Sequence, residues 1–253
     1  MKQPQNVYDN VEFFEKYNEM RQSKLNANEL IEIPEIKAML PNVKNKTVLD
    51  LGCGAGGMSR FFAEKGAKKV VGLDVSQNML SLAKQLTTQD SVEFIQLPME
   101  QLSKIKQKFD IVFSSLAFHY IENFKKLIKD ISNLLNSGGV LLFSQEHPIA
   151  TAPIFNDGSA SSYIEVEGKR YYLLSDYNNN SQRVLNWMAD STIKYHRNFS
   201  TILNTLIENK FSILEVKESQ PEKNAVKLVS KYKYQIDRPY FLYIKAQKAE
   251  EKK

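Results

Sequence analysis

Cysteine is almost absent from this chain of 253 residues: Cys53 is the single one, so no disulfide can form within the chain. No apolar run approaches the roughly 20 residues that a membrane-spanning helix needs. The first residues lack the apolar core of a signal peptide. These absences exclude a disulfide-stabilised scaffold and a membrane partner. They lead us to expect a protein of the reducing cytoplasm.

Histidine is also scarce, with three residues, while lysine and arginine outnumber the acids and give a net charge of +5. Lysines such as Lys125, Lys126 and Lys129 alternate with apolar residues along one predicted helix. This spacing is typical of a solvated helix face rather than of an aromatic-studded nucleic-acid patch. A nucleic acid is therefore the less favoured partner. With 42% hydrophobic residues the chain can form one large α/β domain, over residues 1–253.

A glycine-rich turn organises the chain. An apolar run that ends in Asp50-Leu51 is followed at once by Gly52-Cys53-Gly54-Ala55-Gly56-Gly57, and a helical pattern begins at Met58. Strand, glycine turn and helix form the opening unit of a nucleotide-binding α/β fold. Gly52, Gly54 and Gly57 allow a tight turn and let a ligand lie against bare backbone. Cys53 is expected to bind the cofactor as part of this turn, with its side chain acting as a small packing residue.

Two acids narrow the choice of ligand. Asp50 lies directly before the turn, where a carboxylate would repel the phosphates of a dinucleotide but attract a ligand that carries a sulfonium and an ammonium group. Asp74 ends the next apolar strand, where its carboxylate can accept hydrogen bonds from both ribose hydroxyls. The pair favours S-adenosylmethionine over NAD. A Rossmann-like domain for another nucleotide is the alternative.

The run from Asp50 to Gly57, with Asp74 at this distance, resembles the class I S-adenosylmethionine-dependent methyltransferases. The resemblance is to the small-molecule branch that includes the ubiquinone and menaquinone biosynthesis methyltransferases, and it covers about residues 45–146. It implies S-adenosylmethionine as the cofactor and S-adenosylhomocysteine as the product. It also implies a Rossmann-like, seven-stranded, mostly parallel sheet in the order 3-2-1-4-5-7-6, with helices on both faces.

The resemblance also implies positions for the cofactor. Its methionine part would lie over Gly52 and Gly54, its ribose at Asp74-Val75, and its adenine beside Met99, Glu100 and Met79. Ser114 and Ser115 would face its amino-acid end, and Tyr17 and Arg21, with Tyr8, would close over it from residues 1–42, an N-terminal helical lid. Many relatives have an acid where Pro98 stands, which puts a side-chain contact to the adenine amino group in doubt unless Glu100 supplies it.

Alternating apolar patterns predict the elements. Strands are expected at about 47–51, 69–73, 91–95, 109–113 and 140–143, and again at 211–216 and 240–246. Helices are expected at about 7–21, capped by Asp9, and at 27–40, 56–65, 76–86 with Ser76 as its cap, 121–135 and 199–207. Residues 136–139 should end the fifth of these helices. Residues 148–196 break the pattern and are rich in tyrosine, which favours a cap over the substrate pocket, with a hairpin turn at 167–170.

Three residues near the edge of the sheet where ligands bind are candidates for catalysis. His147 follows the fifth strand, and Tyr195-His196 lies where the cap returns to the fold. Either imidazole could accept a proton from a methyl acceptor. The alternative for each is a hydrogen-bonded structural role. His119 is a weaker candidate of the same kind.

The end of the fourth strand, Ser114-Ser115-Leu116-Ala117, lacks both the Asn/Asp-Pro-Pro-aromatic motif of DNA amino methyltransferases and an acid for a catalytic metal. We therefore expect no metal site.

The sequence thus predicts a transferase that moves a methyl group to an O, N, S or C atom of a small molecule. An enzyme that modifies tRNA or another RNA is one alternative, and a non-catalytic protein that binds S-adenosylmethionine is the other. Neither the acceptor nor the oligomeric state follows from these residues.

Overall fold

The computed structural model describes residues 5–154, 163–187 and 190–250. The strands, in chain order, are β1 (Thr47–Leu51), β2 (Lys69–Asp74), β3 (Val92–Gln96), β4 (Phe109–Ser114), β5 (Leu135–Glu146), β6 (Tyr163–Val166), β7 (Lys169–Tyr172), β8 (Gln182–Trp187), β9 (Asp190–Tyr195), β10 (Phe211–Glu218) and β11 (Phe241–Lys248). The α-helices are α1 (Val11–Gln22), α2 (Ile33–Ala38), α3 (Gly57–Glu64), α4 (Gln77–Leu86), α5 (Phe124–Leu134), α6 (Pro148–Thr151), α7 (Phe199–Glu208) and α8 (Lys223–Leu228).

Seven strands form one mixed sheet in the order β3-β2-β1-β4-β5-β11-β10. The first five are parallel, β11 is antiparallel to β5, and β10 is antiparallel to β11. When only the seven strands of this sheet are numbered in chain order, β10 becomes the sixth and β11 the seventh. The order is then the predicted 3-2-1-4-5-7-6, so the predicted fold is confirmed. Because the strands of a parallel sheet end at a common edge, Asp50, Asp74 and Ser114 lie at one end of the sheet.

The core lies on both faces of this sheet, because consecutive strand residues point to opposite sides. Val48 and Val70 belong to one apolar cluster, while Leu49 and Val71 belong to the other. The helix α5 packs into the second cluster with the stripe that its sequence predicts: Phe124, Leu127, Ile128, Ile131 and Leu134 are all buried. Burial of such a side chain contributes about 1.5–3 kcal/mol, so this face fixes the position of α5.

The N-terminal region differs from the prediction. Residues Val7–Asp9 form a 3-10 turn, and α1 begins after Asn10, whose side chain accepts a hydrogen bond from the Phe13 amide at 3.1 Å. Asp9 is therefore not the cap of this helix. The helix expected over 27–40 is present, but its first part, Asn28–Glu32, is a π-helical turn that continues directly into the short α2, since Glu32 and Ile33 both have right-handed helical angles. Pro34, near the start of α2, has no N–H to donate to the preceding turn, in keeping with the altered hydrogen bonding there.

A second difference lies between α5 and β5. The residues expected to end the helix, 136–139, belong instead to the first part of β5, because α5 already ends at Leu134 and Leu135 pairs with Phe109. The register then shifts before Ile111 pairs with Val140, so these residues form an irregular, bulged part of the strand. Gly138, at φ +71°, supplies the left-handed residue there.

The region after β5 contains two separate hairpins, β6–β7 and β8–β9. Glu167 and Gly168 form the turn of the first, both at positive φ, which confirms the hairpin predicted at this point. The structure also ties the second hairpin to the N-terminal segment: the Gln5 side chain accepts from the Ile193 amide at 2.6 Å and donates to its carbonyl at 3.4 Å.

Candidate functional site

A cavity of about 460 Å³ lies at the carboxyl ends of β1, β2 and β4. Thirteen of the fourteen residues predicted for cofactor binding line it: Tyr17, Arg21, Asp50, Gly52, Cys53, Gly54, Gly57, Asp74, Val75, Met79, Met99, Glu100 and Ser115. Residues of the N-terminal segment cover it from the other side, among them Gln5, Tyr8 and Asn18. The size is that of a ligand pocket, typically about 300–1,000 Å³.

The glycine turn forms the floor of this cavity. The amides of Gly52 and Cys53 both donate to the Leu73 carbonyl, at 2.8 and 2.9 Å, which fastens the turn to the end of β2. Gly52 and Gly54 have φ of +69° and +53°, so both occupy the left-handed region. A Cβ on Gly52 would lie 2.6 Å from the Cβ of Ala117, whereas one on Gly54 would meet nothing within 4 Å. Gly52 is thus required for packing, and Gly54 leaves room over the cavity.

Asp50 is buried at the start of this turn. The Ser59 hydroxyl, from the first turn of α3, donates to its Oδ2 at 2.6 Å. Burial raises the pKa of Asp50 to about 7, and the negative charge of Asp74 adds to the rise while the Ser59 hydrogen bond opposes it. An isolated carboxylate here is costly, so a cationic group in the cavity would be stabilised by it.

Asp74 closes the opposite side of the turn. Its Oδ2 accepts from the Gly54 amide at 2.8 Å, and its Oδ1 accepts from the Ser76 amide at 2.9 Å. Burial raises the pKa of Asp74, and these backbone hydrogen bonds act against that rise. The carboxylate is held in one orientation and still has lone pairs for ligand hydroxyls.

The N-terminal segment supplies an aromatic wall and a cation to the cavity. Tyr8 packs edge-to-face on Tyr17, with ring centroids 5.0 Å apart, and its hydroxyl is hydrogen-bonded to that of Tyr120. Arg21 Nη2 lies 3.7 Å from Glu29 Oε1, while its Nη1 is buried and has no hydrogen-bond partner among the described residues. A buried, unpaired guanidinium N–H beside a cavity is suited to an anionic ligand group.

Ser114 is the one predicted cofactor residue that does not line the cavity. It is fully buried, and its hydroxyl donates to the Leu51 carbonyl at 2.8 Å, so it joins β4 to β1. The next residue, Ser115, reaches the cavity instead.

The structure does not bring the predicted catalytic residues to the cavity. His147 Nδ1 accepts from the Ile149 amide, and its Nε2 is 2.8 Å from Glu218 Oε1. His196 contacts the Thr151 hydroxyl through Nδ1 and the Tyr177 carbonyl through Nε2. Burial lowers the pKa of both imidazoles.

Tyr195 also lies away from the cavity lining, and its hydroxyl is hydrogen-bonded to Glu122. Since both nitrogens of each histidine have partners, these contacts favour structural roles.

Several residues that line the cavity were not predicted from the sequence. Tyr120 follows β4 by a few residues, so the rule that ligands bind beyond strand ends could have found it. Asn18 lines the cavity and lies three residues before Arg21, on the same face of α1, so helical spacing could have predicted it. Glu29, from the π-helical turn, gave no signal because that turn was not predicted.

Two kinds of feature, a metal-binding cluster and a membrane-spanning helix, are absent from the described residues. Among residues 5–154, 163–187 and 190–250, no group of three or more His, Cys, Asp or Glu side chains is arranged to hold a metal ion. Within the same ranges, none of the helices has the length and apolar character required to cross a bilayer.

Comparison with known proteins agrees with this geometry. Residues 49–143 match the family model described as a methyltransferase domain. The crystal structure of an S-adenosylmethionine-dependent methyltransferase from Mesorhizobium loti is 32% identical, with a TM-score of 0.79, over 88% of this chain and 98% of that one. An uncharacterised protein of Haemophilus influenzae is 39% identical over 96% of this chain and 97% of its own length.

Relatives with a named reaction match a shorter part. The malonyl-[acyl-carrier protein] O-methyltransferase of Enterobacter lignolyticus is 30% identical over 52% of this chain and 48% of that protein. Residues 49–143, which the family model matches, contain the glycine turn and the strands around it, which is the part that holds the cofactor in this fold. The full-length similarity and the domain match lead to one conclusion: this chain is a member of the S-adenosylmethionine-dependent methyltransferases.

Proposed function

We propose that this methyltransferase acts on a small molecule that enters the cavity from the lid side. The observation that carries the proposal is the second wall of the cavity, which is built by the N-terminal segment: Asn18, Arg21, Asn28, Glu29, Ile33 and Lys37. Together with the sheet edge, this wall encloses a space in the range of small-ligand pockets. An acceptor that lies there would be separated from bulk water, which favours transfer over hydrolysis.

The residues present fit the cofactor. When bound, S-adenosylmethionine supplies a methyl group on a sulfonium, and this methyl group passes to the acceptor by in-line displacement of S-adenosylhomocysteine. We assign Arg21 to the cofactor carboxylate, because it lines the cavity and its Nη1 has no hydrogen-bond partner among the described residues. We assign Asp50 to the ammonium group, because the charge that acts on its buried carboxylate is the negative charge of Asp74. Asp74, with Val75, is assigned to the ribose hydroxyls.

The remaining lining residues complete this assignment. Met79, Met99 and Glu100 are assigned to the adenine, and Gly52, Cys53, Gly54 and Gly57 provide the backbone surface beneath the cofactor. Ser115, which the resemblance places at the amino-acid end, is assigned together with Leu116 to the adjoining sulfonium, where the methyl group is transferred. Tyr17 packs over the cofactor from the lid.

The contribution of the protein to the rate is orientation and exclusion of water. Holding the acceptor atom about 3–3.5 Å from the methyl carbon, in line with the breaking bond, accounts for much of the acceleration in such displacements. The described cavity lining contains no histidine, and the three imidazoles of the chain all lie elsewhere. We therefore assign no general base, and we treat residues 1–42 as the lid that positions the acceptor. None of the described residues of 148–196, the predicted cap, lines this cavity, so we assign that region to support of the lid through the Gln5–Ile193 hydrogen bonds.

The names of relatives support the small-molecule class. The ubiquinone biosynthesis O-methyltransferase of Coxiella burnetii is 34% identical over 40% of this chain and 44% of that protein. The match covers less than half of either chain, so it supports the class of reaction and leaves the acceptor open.

One observation favours an RNA acceptor as the second candidate. Arg170 stacks between Tyr163 and Tyr234, 4.1 and 3.8 Å from their ring centroids, on the hairpin β6–β7 and the segment before β11. Alternating rings and cations of this kind can bind single-stranded bases. The three groups already contact each other, which lowers their availability.

A single experiment tests these candidates. The purified protein is incubated with methyl-labelled S-adenosylmethionine and a cell extract, which is then separated into molecules below about 1 kDa, RNA and protein. We expect label in the smallest fraction. Label in RNA alone would move the proposal to the second candidate. If no fraction is labelled while S-adenosylhomocysteine raises the melting temperature, the protein binds the cofactor without catalysis.

A further inference from the structure

A fully buried carboxylate lies directly behind the cavity wall. Glu32, at the end of the π-helical turn, has no exposed surface. Its Oε1 accepts hydrogen bonds from two hydroxyls, those of Ser115 at 2.9 Å and Ser144 at 2.5 Å. Its Oε2 is buried without a hydrogen-bond partner among the described residues. Burial of a carboxylate is costly unless it is paired and hydrogen-bonded, and the unpartnered Oε2 leaves part of that cost in place.

The same contacts hold a residue in an uncommon backbone conformation. Leu116, which lines the cavity, has φ +52°, in the left-handed region that non-glycine residues seldom occupy. Its amide donates to both the carbonyl and the hydroxyl oxygen of Ser144, each at 3.1 Å. Glu32 therefore fixes Ser144, which in turn fixes Leu116. Backbone strain of this kind persists where the surroundings determine it, and it is concentrated at functional sites.

The direction of these hydrogen bonds sets the polarity of Ser115. Because its hydroxyl proton is donated to Glu32, its oxygen offers only lone pairs to the cavity that Ser115 lines. A ligand group at that point must be a hydrogen-bond donor. Polar groups of the lid, among them Arg21, Asn28 and Glu29, line the same cavity.

We propose that Glu32 is a positioning residue for methyl transfer: it orients the Ser115 oxygen as a hydrogen-bond acceptor toward the cavity and, through Ser144, holds Leu116 at the end of β4. Since Glu32 belongs to the lid region and both serines belong to the sheet edge, the carboxylate also joins these two walls. This inference rests on the proposed function, which places the methyl-transfer end of the cofactor at Ser115.

The test compares two cofactor analogues in calorimetry: S-adenosylhomocysteine, which lacks the methyl group, and sinefungin, which carries an amine at the methyl-transfer position. We expect Glu32→Leu to lower the preference for sinefungin over S-adenosylhomocysteine at least fivefold. Glu32→Gln, which retains an oxygen for both serine hydroxyls, should restore part of it. The matched control is Glu35→Gln on α2, whose carboxylate contacts Lys217 at 2.7 Å instead, and it should leave the ratio unchanged.

A second measurement follows the Leu116 amide by hydrogen exchange in the S-adenosylhomocysteine complex. We expect exchange at least tenfold faster in Glu32→Leu, or in Ser144→Ala should the first variant not fold, with little change in residues 52–54. A ratio within twofold of wild type together with unchanged exchange would overturn the role of Glu32. If the wild-type protein bound neither analogue, the proposed function would fail first, and this inference with it.

Discussion

The Ser76 hydroxyl donates to Asp9 Oδ1 at 2.6 Å and so joins the N-terminal segment to the start of α4. The amides of Gln77 and Asn78 donate to the same carboxylate, at 3.3 and 3.1 Å. Burial alone would raise the pKa of Asp9, but the hydrogen bonds from Ser76, Asn78 and Asn6 outweigh it and hold the pKa below its usual value. An ionised carboxylate at a helix N-terminus is favourable, so this contact holds the N-terminal segment, the proposed lid, beside the cavity.

Removal of this contact should speed cofactor exchange. A carboxylate that caps a helix contributes about 0.5–2 kcal/mol, so we expect Asp9→Ala to raise the dissociation rate of S-adenosylhomocysteine about three- to thirtyfold. The equilibrium affinity should fall less, because entry becomes faster as well. Stopped-flow fluorescence measures both rates. Glu12→Ala, which removes only an exposed pair with Lys16, is the control, and an unchanged dissociation rate in Asp9→Ala would contradict a lid held by Asp9.

The same residue shows what local sequence could and could not predict. Asp9 and Asn10 both satisfy the rules for a helix cap, and the prediction chose Asp9 for the helix nearest to it. In the structure Asn10 caps this helix. Asp9 instead caps α4, where it contacts Ser76, which lies 67 residues further along the chain. Ser76, by contrast, was predicted correctly as the cap of α4, because its hydroxyl accepts from Met79, three residues on. Capping within one turn is visible in a sequence, but a cap supplied from a distant segment is not.

The convergence on one cavity of the residues predicted for cofactor binding could be foreseen for a similar reason. Asp50, Asp74 and the glycines between them lie at strand ends that the apolar runs define, and strand ends converge in a parallel sheet. The histidines follow the same edge rule, yet their partners decide their role. His147 meets Glu218, 71 residues away, and His196 meets Thr151, 45 residues away. No spacing in the sequence predicts these pairs.

Asp74 should be the strongest single determinant of cofactor affinity. We expect Asp74→Asn to weaken S-adenosylhomocysteine binding at least tenfold, because an amide offers one acceptor oxygen where the carboxylate offers two and removes the charge-assisted hydrogen bonds. Calorimetry measures the affinity.

Asp110→Asn is the matched control for this change. Its carboxylate accepts from the Thr47 amide and hydroxyl at the far end of the strands, so this variant should change stability but not affinity. Equal affinity in Asp74→Asn and wild type would remove Asp74 from the site.

The pH dependence of binding should report on Asp50. Its pKa in the free protein is raised to about 7, so the group is largely protonated below that value, while the ligand ammonium favours the ionised form. Affinity for S-adenosylhomocysteine should therefore rise roughly tenfold or more from pH 5.5 to 7.5 and then level off, with protons released on binding at the lower pH. Calorimetry in two buffers of different ionisation enthalpy measures that release.

The raised pKa has the opposite effect on stability. The folded protein binds this proton more tightly than the unfolded chain, so the contribution of Asp50 to stability falls as pH rises through 7. Asp50→Asn should abolish most of both dependences and leave the smaller part due to Asp74, whose pKa is also raised by burial. An equal slope in wild type and Asp50→Asn would exclude Asp50 as the titrating group.

Two of the three left-handed glycines of the turn, Gly52 and Gly54, should respond differently to alanine. Any Cβ in this backbone region costs about 1–2 kcal/mol, and at Gly52 it would also lie 2.6 Å from the Ala117 Cβ. Gly52→Ala should therefore lower the unfolding free energy by about 2–4 kcal/mol and shift the melting temperature accordingly. Gly54→Ala meets no atom within 4 Å and should destabilise the fold by only about 1 kcal/mol, yet its methyl group would project over the cavity floor and weaken S-adenosylhomocysteine at least fivefold. Thermal unfolding and calorimetry on both variants separate the two effects, and the reverse order of stability losses would show that the backbone of this turn is held differently from the structure described.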